Sequence, residues 1–120
     1  MTIAEFIGAA DYLKAYGCKD IILCERGIKT FETATRNTLD LACVPIIHQT
    51  TDYKIIVDPS HGTGVRYLVK PMSIAALAAG AEGIMVEVHP NPKEALSDGP
   101  QSLHFNEFEE LMESIKKFNY

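Results

Sequence analysis

Three runs of β-prone apolar residues recur along the chain, at positions 21–24, 54–57 and 83–88. The first run is nearly all apolar, as expected of a parallel strand that is covered on both faces. The segments between them have helical character, and the repeat is about 30 residues long, the size of a strand–helix crossover unit. The pattern therefore predicts an α/β fold in which parallel strands alternate with flanking helices.

Residues that start and stop a helix precede the first run. Thr2 and Glu5 have the spacing of a capping box, in which the two side chains satisfy free backbone amides at a helix start. Apolar residues then recur at the spacing of one helix face. Gly17 is a natural stop, because glycine tolerates the left-handed conformation that ends a helix. A first helix is predicted between Thr2 and Gly17.

Three further helices are predicted after the first strand. A short one should start near Pro45, because proline suits the first helical turn. Another should cover residues 71–79, with Gly80 as its stop. The last should start near Asn106, which has the spacing of a capping-box variant with Glu109.

Two of the predicted loops have a composition that favours function. Residues 61–64 read His-Gly-Thr-Gly, and such a glycine-rich loop lets the backbone turn sharply or approach a ligand. Residues 89–103 form a segment too long for a plain connector, which makes it a candidate functional loop.

Imidazole and carboxylate side chains follow the predicted strands. His61 comes after the second strand, Glu87 lies at the end of the third, and Asp98 lies in the long loop that follows. In a parallel β/α barrel all three would lie on the face where the strands end. Together they suit a divalent metal of the manganese, iron, cobalt or zinc type. Metal ligands that are scattered along a chain form no short motif that would identify them. Purely structural roles for the same three residues therefore remain an alternative.

Basic residues follow the first strand. Arg26 precedes a glycine at a strand end, where its planar fork suits phosphate or carboxylate. The alternative is a structural ion pair with Glu25, Asp58 or Glu87. Glu25 is interpreted as an orienting partner and not as a catalytic acid.

Other cations lie in loops at the same predicted face. Lys29, Arg36 and Arg66 are placed where an anionic substrate would be met, although isolated basic residues are more often solvated.

The bulk composition narrows the class of protein. The chain has 120 residues, which suits one domain over residues 1–120. Its net charge of −5 without a basic stretch argues against nucleic acid as a partner. No apolar run approaches the length of a membrane span, and the first residues lack the form of a secretory signal. Three cysteines without a C-x-x-C pair fit reduced thiols, so a cytoplasmic protein is expected.

Four motifs in order resemble those of the 3-deoxy-D-arabino-heptulosonate-7-phosphate (DAHP) synthase family. Residues 24–31 read Cys-Glu-Arg-Gly-Ile-Lys-Thr-Phe and are followed by Ala-Thr-Arg-Asn-Thr-Leu-Asp at 34–40. Residues 57–61 read Val-Asp-Pro-Ser-His, and residues 86–90 read Val-Glu-Val-His-Pro. Residues 95–103 read Ala-Leu-Ser-Asp-Gly-Pro-Gln-Ser-Leu. The resemblance covers essentially the whole chain.

The resemblance implies an enzyme of aromatic amino acid biosynthesis. Members of the family condense phosphoenolpyruvate with erythrose 4-phosphate, with a divalent metal that polarises the aldehyde. By this resemblance His61, Glu87 and Asp98 are metal ligands, and His61 and Asp58 are the catalytic candidates. The expected substrate-binding residues are Arg26, Glu25, Lys29 and Ser60.

The resemblance also implies a fold of which this chain is one part. The motifs correspond to the last three βα units of a (β/α)8 TIM barrel, which needs about 250 residues in full. The family's cysteine ligand and its Lys-Pro-Arg-Thr substrate loop do not occur in these 120 residues. We therefore expect the chain to be inactive alone, and to form a homo-oligomer or to pair with a fragment that carries the first five strands.

Two alternative functions remain at this stage. One is 3-deoxy-manno-octulosonate-8-phosphate synthase, which shares a similar Leu-Ser-Asp-Gly-Pro loop. Its arginine motif usually continues differently, so residues 28–40 favour the aromatic-pathway enzyme. The other is a non-catalytic partial-barrel subunit that needs a partner chain.

Overall fold

Three parallel strands form one sheet in the computed structural model, which describes residues 1–118. They are β1 (Ile22–Glu25), β2 (Lys54–Val57) and β3 (Gly83–Ile84), and they lie side by side in that order. Ile22 pairs with Lys54, and Ile56 pairs with Gly83. The predicted α/β class and the parallel sheet with flanking helices are confirmed.

Helices follow or precede every strand. They are α1 (Ile3–Ala15), α2 (Cys43–Thr50), α3 (Pro59–Thr63), α4 (Arg66–Ala78) and α5 (Phe105–Lys116), with 3-10 helices at Pro92–Glu94 and Gly99–Gln101. The capping box between Thr2 and Glu5 is present at the start of α1. Gly17 has a φ of 96° just beyond its end, as predicted. None of the helices within residues 1–118 is long and apolar enough to cross a membrane.

One face of the sheet is packed and the other is open. Leu23, Ile55 and Val57 are buried together with Val44 and Ile47 of α2. The opposite face is much less covered, since Ile22 is 60% exposed and Cys24 is only half-buried. The expectation that the first strand is covered on both faces is therefore wrong within residues 1–118. Burial of the packed face stabilises the sheet by roughly 25 cal/mol for each Å2 of apolar surface removed from water.

The second apolar cluster joins α4 and α5. Val69 and Leu77 of α4 pack with Leu111 and Ile115 of α5, and Leu103 lies with them. This cluster holds the long segment after β3 against the rest of the fold.

The segment predicted as a glycine-rich loop is in fact helical. His61 lies within α3, whose first residue is Pro59 and whose N-cap is Asp58. The Asp58 carboxylate accepts a hydrogen bond from the backbone N–H of His61 at 3.0 Å. Gly64, with a φ of 68°, ends the helix. An aspartate followed by proline is a helix-start signal, and it outweighs the glycines.

The helix predicted over residues 71–79 begins earlier than expected. α4 starts at Arg66 and contains Pro71 in its interior. Pro71 has no N–H to donate to the carbonyl of Tyr67, but both residues are exposed, so that carbonyl can bind water. The short helix α2 likewise begins at Cys43 and not at Pro45, which still lies in its first turn.

The third strand pairs over a shorter length than the predicted 83–88. β2, the strand beside β3, ends at Val57, and the residues after it form α3. Residues beyond Ile84 therefore have no neighbouring strand to pair with. The Oγ of Ser60 instead accepts the hydrogen bond from the backbone N–H of Glu87. Val88 then forms an isolated parallel bridge with Leu103.

The start of the last helix also differs from the prediction. The Glu107 carboxylate accepts a hydrogen bond from the backbone N–H of His104 at 2.8 Å, and α5 begins at Phe105. The predicted pair, Asn106 and Glu109, is exposed on the first turns. Two overlapping pairs share the capping spacing, and the apolar stripe cannot distinguish a start that differs by two residues.

Candidate metal centre

Three side chains converge where the strands end. His61 comes from α3, Glu87 follows β3, and Asp98 immediately precedes the 3-10 helix Gly99–Gln101. The Nε2 of His61 lies 3.5 Å from Glu87 Oε1 and 3.2 Å from Asp98 Oδ2. One ligand atom from each residue can be chosen so that all lie within 4.8 Å of one another. An imidazole nitrogen and two carboxylates in such a cluster form a donor set that fits a divalent transition metal.

Asp58 fixes the orientation of His61. Its second carboxylate oxygen lies 2.7 Å from His61 Nδ1, and Asp58 is only 2% exposed. A carboxylate in this position favours a proton on Nδ1, which would leave the lone pair of Nε2, the nitrogen nearest Glu87 and Asp98, free to bind a metal ion. The local sequence produces this arrangement because the N-cap of α3 is three residues before the histidine.

Ser60 binds the backbone of Glu87 through a hydrogen bond. Its side chain is completely buried, and its Oγ accepts a hydrogen bond from the backbone N–H of Glu87 at 3.0 Å. This bond replaces strand pairing and fixes the backbone from which the Glu87 carboxylate extends. Ser60 was expected among the substrate-binding residues, and the structure places its buried hydroxyl against the backbone of Glu87.

Asp98 has an unusual backbone conformation. Its φ is 56°, and within residues 1–118 it is the one residue other than glycine with a positive φ. The following residue has to be glycine, because a Cβ on Gly99 would lie 2.4 Å from the carbonyl oxygen of Pro92. Arg36 Nη1 lies 3.9 Å from Asp98 Oδ1, which makes a loose ion pair between an exposed arginine and a half-buried aspartate.

Arg26 and Lys29 extend from the loop after β1. Both are exposed, and neither forms a hydrogen bond or ion pair with any part of the chain that the structure describes. The structural ion pair considered for Arg26 is therefore absent among residues 1–118. Both residues line a cleft of about 600 Å3 at this loop. A larger cleft, of about 1010 Å3, lies at the opposite ends of the strands beside Asp20 and Lys54.

Glu25 closes the base of the loop that carries Arg26 and Lys29. Its Oε2 accepts hydrogen bonds from the backbone N–H groups of Gly27 at 3.2 Å and Asp40 at 2.9 Å. Burial raises the pKa of the Glu25 carboxyl, and the two backbone hydrogen bonds offset part of that effect. Glu25 was expected among the substrate-binding residues, and the structure shows it 6% exposed between these two amides.

Arg66 is the site neighbour that sequence reasoning placed wrongly. It was expected in a loop, but it is the first residue of α4, and its guanidinium reaches the carbonyls of Gly99 and Ser102. The Asp58-Pro59 pair was a readable signal for α3, whereas contacts to distant backbone carbonyls leave no signal in the sequence.

Known proteins resemble this chain over nearly its whole length. Residues 1–119 match the DAHP synthetase I family. The phospho-2-dehydro-3-deoxyheptonate aldolase of Thermotoga maritima is 59% identical over 116 residues, which cover 97% of this chain and 34% of that protein. The 2-dehydro-3-deoxyphosphooctonate aldolase of Desulfosudis oleivorans is 36% identical over 110 residues, which cover 82% of this chain and 39% of that protein.

A solved structure has the same fold as this chain. It is a truncated form of 3-deoxy-D-arabino-heptulosonate 7-phosphate synthase from Thermotoga maritima, with a TM-score of 0.97 and 58% identity. The alignment covers 98% of this chain and 45% of that chain, so the chain spans less than half of the relatives it matches. The family match from residue 1 to residue 119 and the closely superposable fold show that this chain belongs to the DAHP synthetase I family.

Proposed function

We propose that this chain contributes the metal-binding part of a 3-deoxy-7-phosphoheptulonate synthase, which condenses phosphoenolpyruvate with erythrose 4-phosphate. The observation that carries the proposal is the convergence of His61, Glu87 and Asp98 beyond the carboxyl ends of the strands, in a chain of this family. The 59% identity to the heptonate enzyme, against 36% to the octonate enzyme, favours the aldehyde with four carbons.

Residues 1–120 would form the last three βα units of a (β/α)8 barrel. β1 and β3 each have one unpaired edge in the described sheet, and unpaired edges favour association with further strands. The open face with Ile22 and Cys24 would become part of the barrel interior. Such a barrel needs about 250 residues, so the missing strands would come from additional polypeptide, in the same chain or in a partner.

The three converging side chains would hold a divalent metal ion, with manganese, iron, cobalt and zinc all compatible with the donor set. When bound there, the metal supplies Lewis acidity that polarises the aldehyde of erythrose 4-phosphate. Asp58 acts through His61, because it holds the Nδ1 proton and aims Nε2 at the two carboxylates. It is therefore proposed as a positioning residue.

The phosphate of phosphoenolpyruvate would be bound by Arg26, with Lys29 nearby. Both cations lie at the strand ends without a protein partner in residues 1–118, which leaves the arginine fork available for two phosphate oxygens. Glu25 would fix the loop that presents them, and Ser60 would act through Glu87. Neither of these two buried residues needs to touch substrate.

Activity measurements test the proposal. The chain with both substrates and Mn2+ should give no product above background. Addition of a polypeptide that carries the first five strands should produce turnover that Arg26→Ala abolishes. Faster turnover with arabinose 5-phosphate than with erythrose 4-phosphate would favour the octulosonate enzyme. No turnover in any combination would favour a non-catalytic subunit.

Metal binding provides an independent test. Calorimetry should detect weak Mn2+ binding by the chain and none by the double variant His61→Ala, Glu87→Ala. The matched control changes the same residue types at remote positions, His48→Ala with Glu110→Ala, and should bind Mn2+ like the unmodified chain. Equal affinity in both double variants would show that the three residues are not the site.

A further inference from the structure

The side chain of Arg66 joins the start of α4 to a segment more than thirty residues away. Its Nε donates a hydrogen bond to the carbonyl of Ser102 at 2.7 Å, and its Nη2 donates one to the carbonyl of Gly99 at 3.3 Å. Donation of two bonds to one short segment uses the planar geometry of the guanidinium, which a lysine ammonium lacks.

The same segment supports the backbone of Asp98. The Ser102 hydroxyl donates a hydrogen bond to the Asp98 carbonyl at 2.8 Å, and the Gln101 backbone N–H donates to it at 3.3 Å. Asp98 needs such support because its left-handed conformation is disfavoured for residues with a Cβ. The position of the Asp98 carboxylate, 3.2 Å from His61 Nε2, therefore depends on the turn formed by residues 98–102.

The donors of Arg66 are directed at backbone carbonyls. The nearest carboxylate, that of Glu107, is 4.0 Å from Nε. Arg66 thus differs from Arg26, whose guanidinium has no partner within residues 1–118. This difference argues against Arg66 as a second binding residue for an anionic substrate.

We propose that Arg66 is the positioning residue for Asp98, since it holds the turn at residues 98–102 so that the Asp98 carboxylate faces His61 and Glu87. This inference rests on the proposed metal site. Asp58 sets the ring of His61, Ser60 sets the backbone of Glu87, and Arg66 would complete the set for the third ligand.

Hydrogen exchange tests the link between Arg66 and the turn without any metal. In Arg66→Met, the amides of Gln101 and Ser102 should lose protection, because their acceptors lie within the released turn. Lys70→Met is the matched control, since Lys70 is an exposed cation on the same helix, and it should leave these amides protected. Arg66→Lys should restore only part of the protection, because it keeps the charge and loses the fork. Unchanged protection in Arg66→Met would overturn the proposal.

Mn2+ affinity then tests whether the turn acts through Asp98. Arg66→Met should weaken Mn2+ binding by about tenfold or more, as changes to the partners of metal ligands do. In an Asp98→Ala background the same substitution should not weaken Mn2+ binding further, because the carboxylate through which Arg66 would act is already absent. An equal loss in both backgrounds would show a general structural role and overturn the proposal.

The two proposals fail in different ways. If the unmodified chain binds no Mn2+, alone or with the first five strands added, the metal site fails, and hydrogen exchange alone decides whether Arg66 holds the turn. If the unmodified chain binds Mn2+ and Arg66→Met binds it equally well, the metal site stands and the role of Arg66 is wrong.

Discussion

Asp58 holds His61 with both of its carboxylate oxygens. Oδ1 accepts a hydrogen bond from the backbone N–H of His61 at 3.0 Å, and Oδ2 lies 2.7 Å from the ring Nδ1. One buried carboxylate therefore caps α3 and orients the ring that α3 carries. The start of the helix and the direction of the imidazole are coupled through this residue.

Asp58→Asn separates these two roles. The amide keeps an oxygen that can cap α3 but presents an NH2 group to Nδ1, so the ring loses the acceptor that fixes its tautomer. We expect Mn2+ affinity measured by calorimetry to fall by about 10- to 100-fold. Asp52→Asn changes an exposed aspartate five residues before β2 ends and serves as the control. Unchanged affinity in Asp58→Asn would remove Asp58 from the site.

Gly27 and Gly8 should respond to alanine in opposite directions. Gly27 has a φ of 102°, and a Cβ there would lie 2.6 Å from Asn37 Cβ. Gly27→Ala should lower the free energy of unfolding by about 2 to 4 kcal/mol, from backbone strain and overpacking together. Gly8 lies in α1 with nothing within 4 Å of an added Cβ. Gly8→Ala should raise the free energy of unfolding by about 0.5 to 1 kcal/mol. Urea denaturation of both variants measures the difference, and similar shifts in the two would contradict the prediction.

Glu25→Gln should change how stability depends on pH. Burial raises the pKa of Glu25 above its usual 4.5, so the folded state holds this proton more tightly than the unfolded state does. Its contribution to stability is therefore fully present below the unfolded pKa and is lost as the pH rises through the folded pKa. Glutamine removes this loss, while its one oxygen can still accept from Gly27 and Asp40.

The measurement for Glu25 is the difference in free energy of unfolding between the variant and the unmodified chain. This difference should move in favour of Glu25→Gln as the pH rises from 4.5 through the folded pKa, and then become constant. A difference that does not vary with pH would show that the carboxyl has the same pKa in both states.

The cysteines should differ in reactivity. Burial, with the nearby Glu25 and Asp40 carboxylates, raises the pKa of the Cys43 thiol to about 12, whereas Cys18 is exposed. Since the thiolate is the nucleophile, iodoacetamide at pH 8 should modify Cys18 first and leave Cys43 unmodified until the chain unfolds. Mass spectrometry of the peptides reports the order. Modification of Cys43 at the rate of Cys18 would show that α2 does not pack as described.

The local sequence pattern predicted an element correctly where hydrophobic periodicity and start or stop residues indicate the same structure. The apolar run at 54–57 gave β2 with its observed bounds, and the capping box at Thr2 gave the start of α1. The pattern predicted the wrong boundary where one residue type occurs in two structural contexts, such as proline at the start of a helix and in its interior. Pro71 was interpreted as a helix start, yet the exposed carbonyl of Tyr67 allows it inside α4.

The sequence by itself determined the alternation of strands and helices, because burial and backbone preference leave a periodic record along the chain. It also carried the motifs that place His61, Glu87 and Asp98 among the candidate ligands. Only the tertiary structure decided that His61 and Asp98, 37 residues apart, lie 3.2 Å from each other. It alone showed that the Ser60 hydroxyl reaches the backbone N–H of Glu87 and that Arg66 reaches the carbonyl of Ser102. Every residue has a backbone N–H or carbonyl, and which of them a side chain reaches depends on how the strands and helices assemble.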